Sequence, residues 1–317
     1  MVIKKRFGAP IYAAVGVNTV LISVNRRRPV LVSFGGKLRK KAIKGVTRVH
    51  GIAYGYGVFI VETDEGIYVL DTNGDILLTV EQGMLNKMGL KIYDVLLNAT
   101  RSELAILSTK QNPALYLLRR GNRIKEVPIS FTPIGRPRSL LNIKGRWKLI
   151  STYAKPNQFS DSTIVISDVL NGERIEVDLS KLGSIALVYA PFNGKFAIVR
   201  LNTKEGKQRL VAVDVETGNI INYLNCEGGE IGTLLADPFN PFIVVTSRLL
   251  GINSVVKIKG FPLGTEYRIE NFTALSICCG NVLLMSNKES DAVLSILRRE
   301  EYRSKLGTLK ISLFPLD

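Results

Sequence analysis

Seven short apolar runs punctuate this chain at near-regular intervals, and that repeat constrains the fold more than any other feature. The runs are Val20-Leu21-Ile22, Val58-Phe59-Ile60, Leu104-Ala105-Ile106, Trp147-Lys148-Leu149-Ile150, Phe196-Ala197-Ile198, Phe242-Ile243-Val244 and Val282-Leu283-Leu284. Successive starts lie 38, 46, 43, 49, 46 and 40 residues apart. Each run is too short for a buried helix and is bounded by Gly-centred turns, as expected of a strand. A strand-built period of about 40–50 residues belongs to a β-propeller, in which each repeat is one four-stranded blade. The expected fold is therefore all-β: a seven-bladed β-propeller with four antiparallel strands per blade.

The repeats fall at roughly 8–44, 45–82, 91–130, 136–180, 183–226, 230–271 and 272–314, so residues 1–317 read as one domain. The third repeat shows the internal order. Ile92 to Ala99, Glu103 to Ser108, Ala114 to Leu118 and Arg123 to Ile129 are its four strands, lettered A to D from the axis outward. Arg119-Arg120-Gly121-Asn122 turns between C and D, with glycine at the position that needs positive φ. Comparable turns recur as Asp71-Thr72-Asn73-Gly74-Asp75-Ile76, Leu170-Asn171-Gly172-Glu173-Arg174-Ile175 and Asp214 to Ile220. The sixth and seventh repeats have poorer versions, at Gly260 to Gly264 and Arg298 to Ser304. Glu81 to Lys91 reads as a long loop between repeats, with room for one helical turn. For the last outer strand the sequence offers two segments, Leu306 to Leu313 or the N-terminal Val2 to Phe7, so residues 1–7 are candidates to complete the last blade.

A strand ending in Asp, a Gly turn, a polar residue and Ile together resemble the repeat of WD40-like, YVTN and quinoprotein-type propellers. The Trp-Asp dipeptide and the repeated docking tryptophan of those families are missing, since Trp147 is the only tryptophan. The resemblance implies the fold and assigns no functional residue.

No apolar stretch reaches the ~18 residues that span a bilayer. Lys4-Lys5-Arg6 before the mostly apolar Phe7 to Val24 loosely mimics a signal peptide. The segment is β-branched and interrupted by Asn18, and it reads instead as the first strands of the first repeat. Cys226 and the adjacent Cys278-Cys279 make no disulfide framework. On a strand, neighbouring side chains point to opposite faces, so a bond between Cys278 and Cys279 would be strained. Buried reduced cysteines fit a cytoplasmic setting. Scarce Gln and His with abundant Lys, Arg and Ile suggest a heat-loving source, against which Asn is plentiful.

Catalytic signatures are scarce. There is no Walker A loop, Gly-x-Ser-x-Gly elbow, EF-hand spacing or His–Cys cluster, so no metal or cofactor is expected. Tyr54-Gly55-Tyr56-Gly57 joins two strands and reads as a hairpin, because a phosphate cradle would open a helix. His50, the only histidine, reads as a hydrogen-bonded structural residue. An axial-channel hydrolase of the lactonase kind would need Arg48, His50, Arg138, Glu230 and Asp237 to converge.

Charge is the sharper signal. The chain carries a net +16. Residues 1–61 hold no Asp or Glu, yet contain Lys4, Lys5, Arg6, Arg26, Arg27, Arg28, Lys37, Arg39, Lys40, Lys41, Lys44 and Arg48. Arg26-Arg27-Arg28 precede Pro29 and form the B–C loop. Lys37 to Lys41 follow the C–D turn and outermost strand. Arg298, Arg299, Arg303, Lys305 and Lys310 in the last repeat extend the stripe, diluted by Glu300 and Glu301. Lysine on outer strands guards against edge pairing, and charge-rich surfaces suit heat, but mixed signs satisfy both demands. An acid-free block of this length is the footprint of a polyanion binder. The aromatics nearby, Phe7, Tyr12 and Phe34, are few, which favours phosphate contact over base stacking.

The expected function is a non-enzymatic module whose first blade contacts nucleic acid or a ribonucleoprotein. Lys4, Lys5, Arg6, Arg26, Arg27, Arg28, Lys37, Arg39, Lys40, Lys41 and Lys44 would be the contact residues. A scaffold for an acidic protein partner and the channel enzyme are the alternatives.

Overall fold

The computed structural model describes residues 2–3, 11–34, 39–110, 113–121, 124–127, 129, 134–190, 195–226, 230–237, 242–248, 254–260, 266–270, 272–286, 292–297 and 309–310. It divides into two units, one of Met1–Glu81 with Gly229–Asp317 and one of Gln82–Gly228. Among the described residues there are seven sheets, numbered here in chain order, and their strands pair antiparallel.

In the first unit, the first sheet is Ile11–Val15, Thr19–Val24, Val30–Ser33 and Arg39–Ala42. The second is Val49–Gly55, Val58–Thr63, Gly66–Asp71 and Ile76–Glu81. The sixth is Glu230–Ala236, Phe242–Arg248, Ser254–Gly260 and Glu266–Glu270. The seventh is built on Phe272–Cys278, Asn281–Ser286 and Ala292–Leu297. Both segments that the sequence offers for its outer edge are used. Val2–Ile3 pairs with Ala292 and Val293, and Leu309–Lys310 pairs with Ser295 and Ile296. The edge of one strand is thus shared by the two ends of the chain.

In the second unit, the third sheet is Val95–Ala99, Glu103–Ser108, Leu115–Arg119 and Lys125–Val127. The fourth is Arg136–Ile143, Arg146–Tyr153, Thr163–Asp168 and Arg174–Asp178. The fifth is Ser184–Tyr189, Phe196–Asn202, Gln208–Asp214 and Ile220–Cys226.

Burial explains the strand composition. Thr163–Asp168, the third strand of the fourth sheet, is buried at all six residues, which is why it opens on the β-branched run Thr163-Ile164-Val165-Ile166. Arg39–Ala42, at the outer edge of the first sheet, is exposed at all four residues. Packing runs between sheets: Leu21, Leu31 and Ile43 share a core with Phe59 and Leu70, and Cys278 and Leu283 of the seventh sheet join it. In the second unit Ile150, Ile166 and Leu179 pack with Val199 and Val213.

The Asp-Gly turns have a physical cause. Asp71 Oδ1 accepts from Asn73 N at 2.8 Å and Asp75 N at 2.9 Å. Asp168 Oδ1 accepts from Leu170 and Asn171, and Asp214 Oδ1 from Glu216 and Thr217. A carboxylate closing a strand into a turn is an Asx-type device, here used three times. Gly74 (φ +78°) also lets the sheets approach, since a Cβ there would lie 2.6 Å from Ile43 Cδ1.

Three local expectations are corrected. Ile92–Asp94 is a 3-10 turn and the strand begins at Val95, because Asp94 N bonds back to Lys91 O at 2.8 Å. Gln82–Lys87 is a six-residue helix, longer than one turn, anchored by buried Leu85. Cys278 and Cys279 do not alternate across a strand. Cys278 ends one strand and Cys279 (φ +55°) opens a turn with Gly280 (φ +79°), which puts their sulfurs 2.9 Å apart. The Gly260 to Gly264 turn, beyond Gly260, and the Arg298 to Ser304 turn lie outside the described residues.

Candidate polyanion-binding surface

Arg26, Arg27 and Arg28 lie between the second and third strands of the first sheet, and all three are exposed. The chain reverses through Asn25 and Arg26 in left-handed conformations, φ +54° and +57°, and Arg27 N closes the turn on Val24 O at 3.1 Å. The backbone is then pinned. Ser23 Oγ donates to Arg27 O at 2.6 Å, Val49 N to Arg26 O at 3.2 Å and Ile43 N to Pro29 O at 2.9 Å. Among the described residues, the three guanidinium groups form no hydrogen bond or ion pair. Their backbone is fixed while their charges are left to solvent.

The bond from Val49 N places the segment before the second sheet beside this loop. Lys44 and Arg48 are exposed there, Arg48 at φ +52°. Arg48 belongs to the acid-free block but not to the expected contact residues; what puts it there is the backbone bond, which no local motif announces. Arg39, Lys40 and Lys41 line the outer strand. Lys41 is committed elsewhere: its Nζ lies 2.6 Å from Asp75 Oδ1 and 2.8 Å from Asn73 O on the turn of the second sheet. Lys4, Lys5, Arg6 and Lys37 lie outside the described residues, as do Arg298, Arg299, Arg303 and Lys305.

The first acids border the surface. Thr47 Oγ1 donates to Glu65 at 2.8 Å, and His50 Nε2 pairs with Asp64. Burial pushes the Glu62 carboxyl up, with the charge of His50 opposing it.

The channel candidates have local employment. His50 is the unpaired residue of a bulge between Val49 and Gly51. Arg138 is its counterpart in the fourth sheet, bulged between Pro137 and Ser139. Arg138 reaches Asp161 Oδ2 at 3.1 Å and Thr152 Oγ1 at 2.9 Å. Asp64 and Asp161 both sit on the connection between second and third strands, so one device ties inner strand to loop in two sheets. Asp237 accepts from Gly280 N at 2.5 Å. The side chain of Glu230 lies outside the described residues. Among the described residues no helix is long and apolar enough to cross a membrane.

No protein-family model matches the sequence, and no curated protein matches it. Solved structures do. The β-propeller domain of Cps50 (Swd1) from Myceliophteria thermophila aligns with TM-score 0.59 at 9% identity, over 92% of this chain and 98% of that one. Hsv2 from Kluyveromyces lactis aligns with TM-score 0.57 at 9% identity, over 91% and 93%. A chain of a mitotic checkpoint complex aligns with TM-score 0.55 at 13% identity, over 90% and 88%. The protein has a WD40-like β-propeller fold, all-β and built of four-stranded antiparallel sheets.

Proposed function

We propose that the chain is a seven-bladed propeller acting as a non-enzymatic interaction module, which docks through its basic first blade on the phosphates of nucleic acid or a ribonucleoprotein. The observation that carries this reading is the Arg26-Arg27-Arg28 loop. Its backbone is held by three hydrogen bonds while its guanidinium groups are exposed and, among the described residues, unpaired. Ordering a charged loop in advance lowers the entropic cost of binding. Guanidinium forks suit phosphate oxygens. Arg39, Lys40, Lys44 and Arg48 extend the positive field, with Lys4, Lys5, Arg6 and Lys37 supplying further charge from the same acid-free stretch.

Such contacts neutralise phosphates and release counterions. If six to ten phosphates are engaged, affinity falls about 10³–10⁵-fold between 50 and 200 mM salt. The test is a salt series with a labelled RNA and a DNA of mixed sequence. A flat response removes the proposal.

A second reading, a scaffold for an acidic protein, draws on a structural neighbour that belongs to a mitotic checkpoint complex. Salt weakens both, so the material that co-purifies separates them. Nucleic-acid absorbance supports the first reading, and a stoichiometric acidic protein the second.

A further inference from the structure

We infer that Cys278 and Cys279 form a redox-modification site, a vicinal dithiol that closes to a disulfide by exchange with a small-molecule disulfide. Two adjacent residues on a regular strand could not do this, because their side chains diverge. The turn changes the geometry. Cys278 pairs with Asn281 at the end of the strand, and the two residues between them, Cys279 and Gly280, both have positive φ. A left-handed Cys279 breaks the alternation and swings its side chain to the side of Cys278, so the sulfurs stand 2.9 Å apart as free thiols. The left-handed conformation is unfavourable for a non-glycine residue, so the juxtaposition is held by the turn at some expense.

The environment assigns the two sulfurs different parts. Cys279 is partly exposed, whereas Cys278 is buried. The Cys278 thiol is pushed up by its hydrogen bond to Cys279, by burial, and by the negative charge of Cys279 and Asp237. Cys279 is therefore the entry point. Its thiolate attacks a small disulfide, forming a mixed disulfide and releasing one thiolate. Cys278 then gives up its proton to solvent. The Cys278 sulfur displaces the second small thiolate from Cys279, and the intramolecular bond forms. Two electrons pass to the incoming disulfide, which leaves as two thiols.

The turn is also a junction. Gly280 N donates to Asp237, next to the sixth sheet's first hairpin, and Asn281 donates to the carbonyls of Gly16 and Val17 in the first sheet. Closing the bond acts at a point where three sheets of one unit are laced together.

The experiment incubates the full chain, natively folded, with glutathione disulfide, then alkylates with iodoacetamide and digests with trypsin. The fragment 269–288 carries both cysteines. The expected result is loss of both alkylations on that fragment, a mass two hydrogens below the dithiol, and recovery of both alkylations after dithiothreitol. Cys278→Ser should leave glutathione trapped on Cys279, and Cys279→Ser should leave Cys278 alkylatable after unfolding. A fragment still doubly alkylated after oxidation overturns the inference. So does a stable glutathione adduct on Cys279 in the unaltered chain, or a bond from either residue to Cys226. The unaltered chain decides the matter even if a variant fails to fold.

Discussion

Asn281 Nδ2 donates to Val17 O at 2.7 Å, joining residues 264 positions apart in the chain. The same amide also reaches Gly16 O at 3.3 Å, so one side chain of the seventh sheet satisfies two carbonyls in the first hairpin of the first. Asn281 is buried. Replacing it with alanine leaves these carbonyls without their donor. Asn281→Ala should cost about 1–3 kcal/mol in urea unfolding. Asn281→Asp should cost more, because a carboxylate would face carbonyl oxygens. A cost within error for both would mean that this lacing contributes nothing.

Arg26 offers a way to separate binding from folding. It holds a left-handed conformation that glycine adopts freely, at φ +57°. Arg26→Gly should leave the midpoint of thermal unfolding unchanged or slightly raised, because relief of strain is offset by a more flexible unfolded chain. The same change should weaken RNA or DNA binding regardless of sequence. The triple change of Arg26, Arg27 and Arg28 to Glu should weaken it much further with the fold intact by circular dichroism.

Lys41 provides the contrast. Its ammonium is already shared between Asp75 and Asn73. Lys41→Ala should therefore reduce affinity less than Arg27→Ala or Arg28→Ala in the same salt. An equal or larger effect would put the contact on the outer strand in place of the loop.

Two glycines with nearly the same backbone test packing against conformation. Gly74 has φ +78° and its missing Cβ faces Ile43 Cδ1 at 2.6 Å, whereas Gly121 has φ +77° and open space. Gly121→Ala should cost about 1 kcal/mol, the penalty of the left-handed region. Gly74→Ala should cost a further 1–3 kcal/mol or so, from overpacking between the sheets. Denaturant midpoints give both numbers.

Asp178 reports on acid pH. Its carboxylate accepts from Lys155 Nζ at 2.6 Å and Ser180 N at 2.9 Å, which lowers its pKa to about 2. The unfolded chain takes up this proton more readily. The pair's stabilising contribution is therefore present above the ordinary carboxylate pKa of about 3.9 and fades as pH falls towards 2. NMR titration should find Asp178 near that low value, and Lys155→Gln should move it up. An unshifted Asp178 would mean the pair does not persist in solution.

Much of this architecture was legible because strand periodicity and turn chemistry are local. Tyr56 and Gly57 announce the hairpin from Gly55 to Val58, and Asp71, Asp168 and Asp214 ahead of their Gly turns supply the carboxylates that close them. The charged loop was legible for the same reason: three arginines before a proline between two apolar runs form an exposed connection. Strand alternation puts Cys278 and Cys279 on opposite faces because it assumes extended backbone, and a single left-handed residue, Cys279, reverses it. The helix at Gln82–Lys87 outruns the single turn the sequence allows for, because one buried residue, Leu85, anchors it. Its burial depends on what packs there.

The strand repeat, the Gly turns and the acid-free first repeat are local properties, since each follows from residue type and spacing along a few positions. The use of the charges was settled by the tertiary structure. It committed Lys41 to Asp75, brought Arg48 beside Arg26 through a backbone bond, and left the arginine loop unpaired among the described residues. It also decided that both chain ends share one edge of the seventh sheet, and that Asn281 meets Val17. These are contacts between residues far apart in the chain. Their geometry depends on how one sheet stacks on the next, which no local pattern encodes.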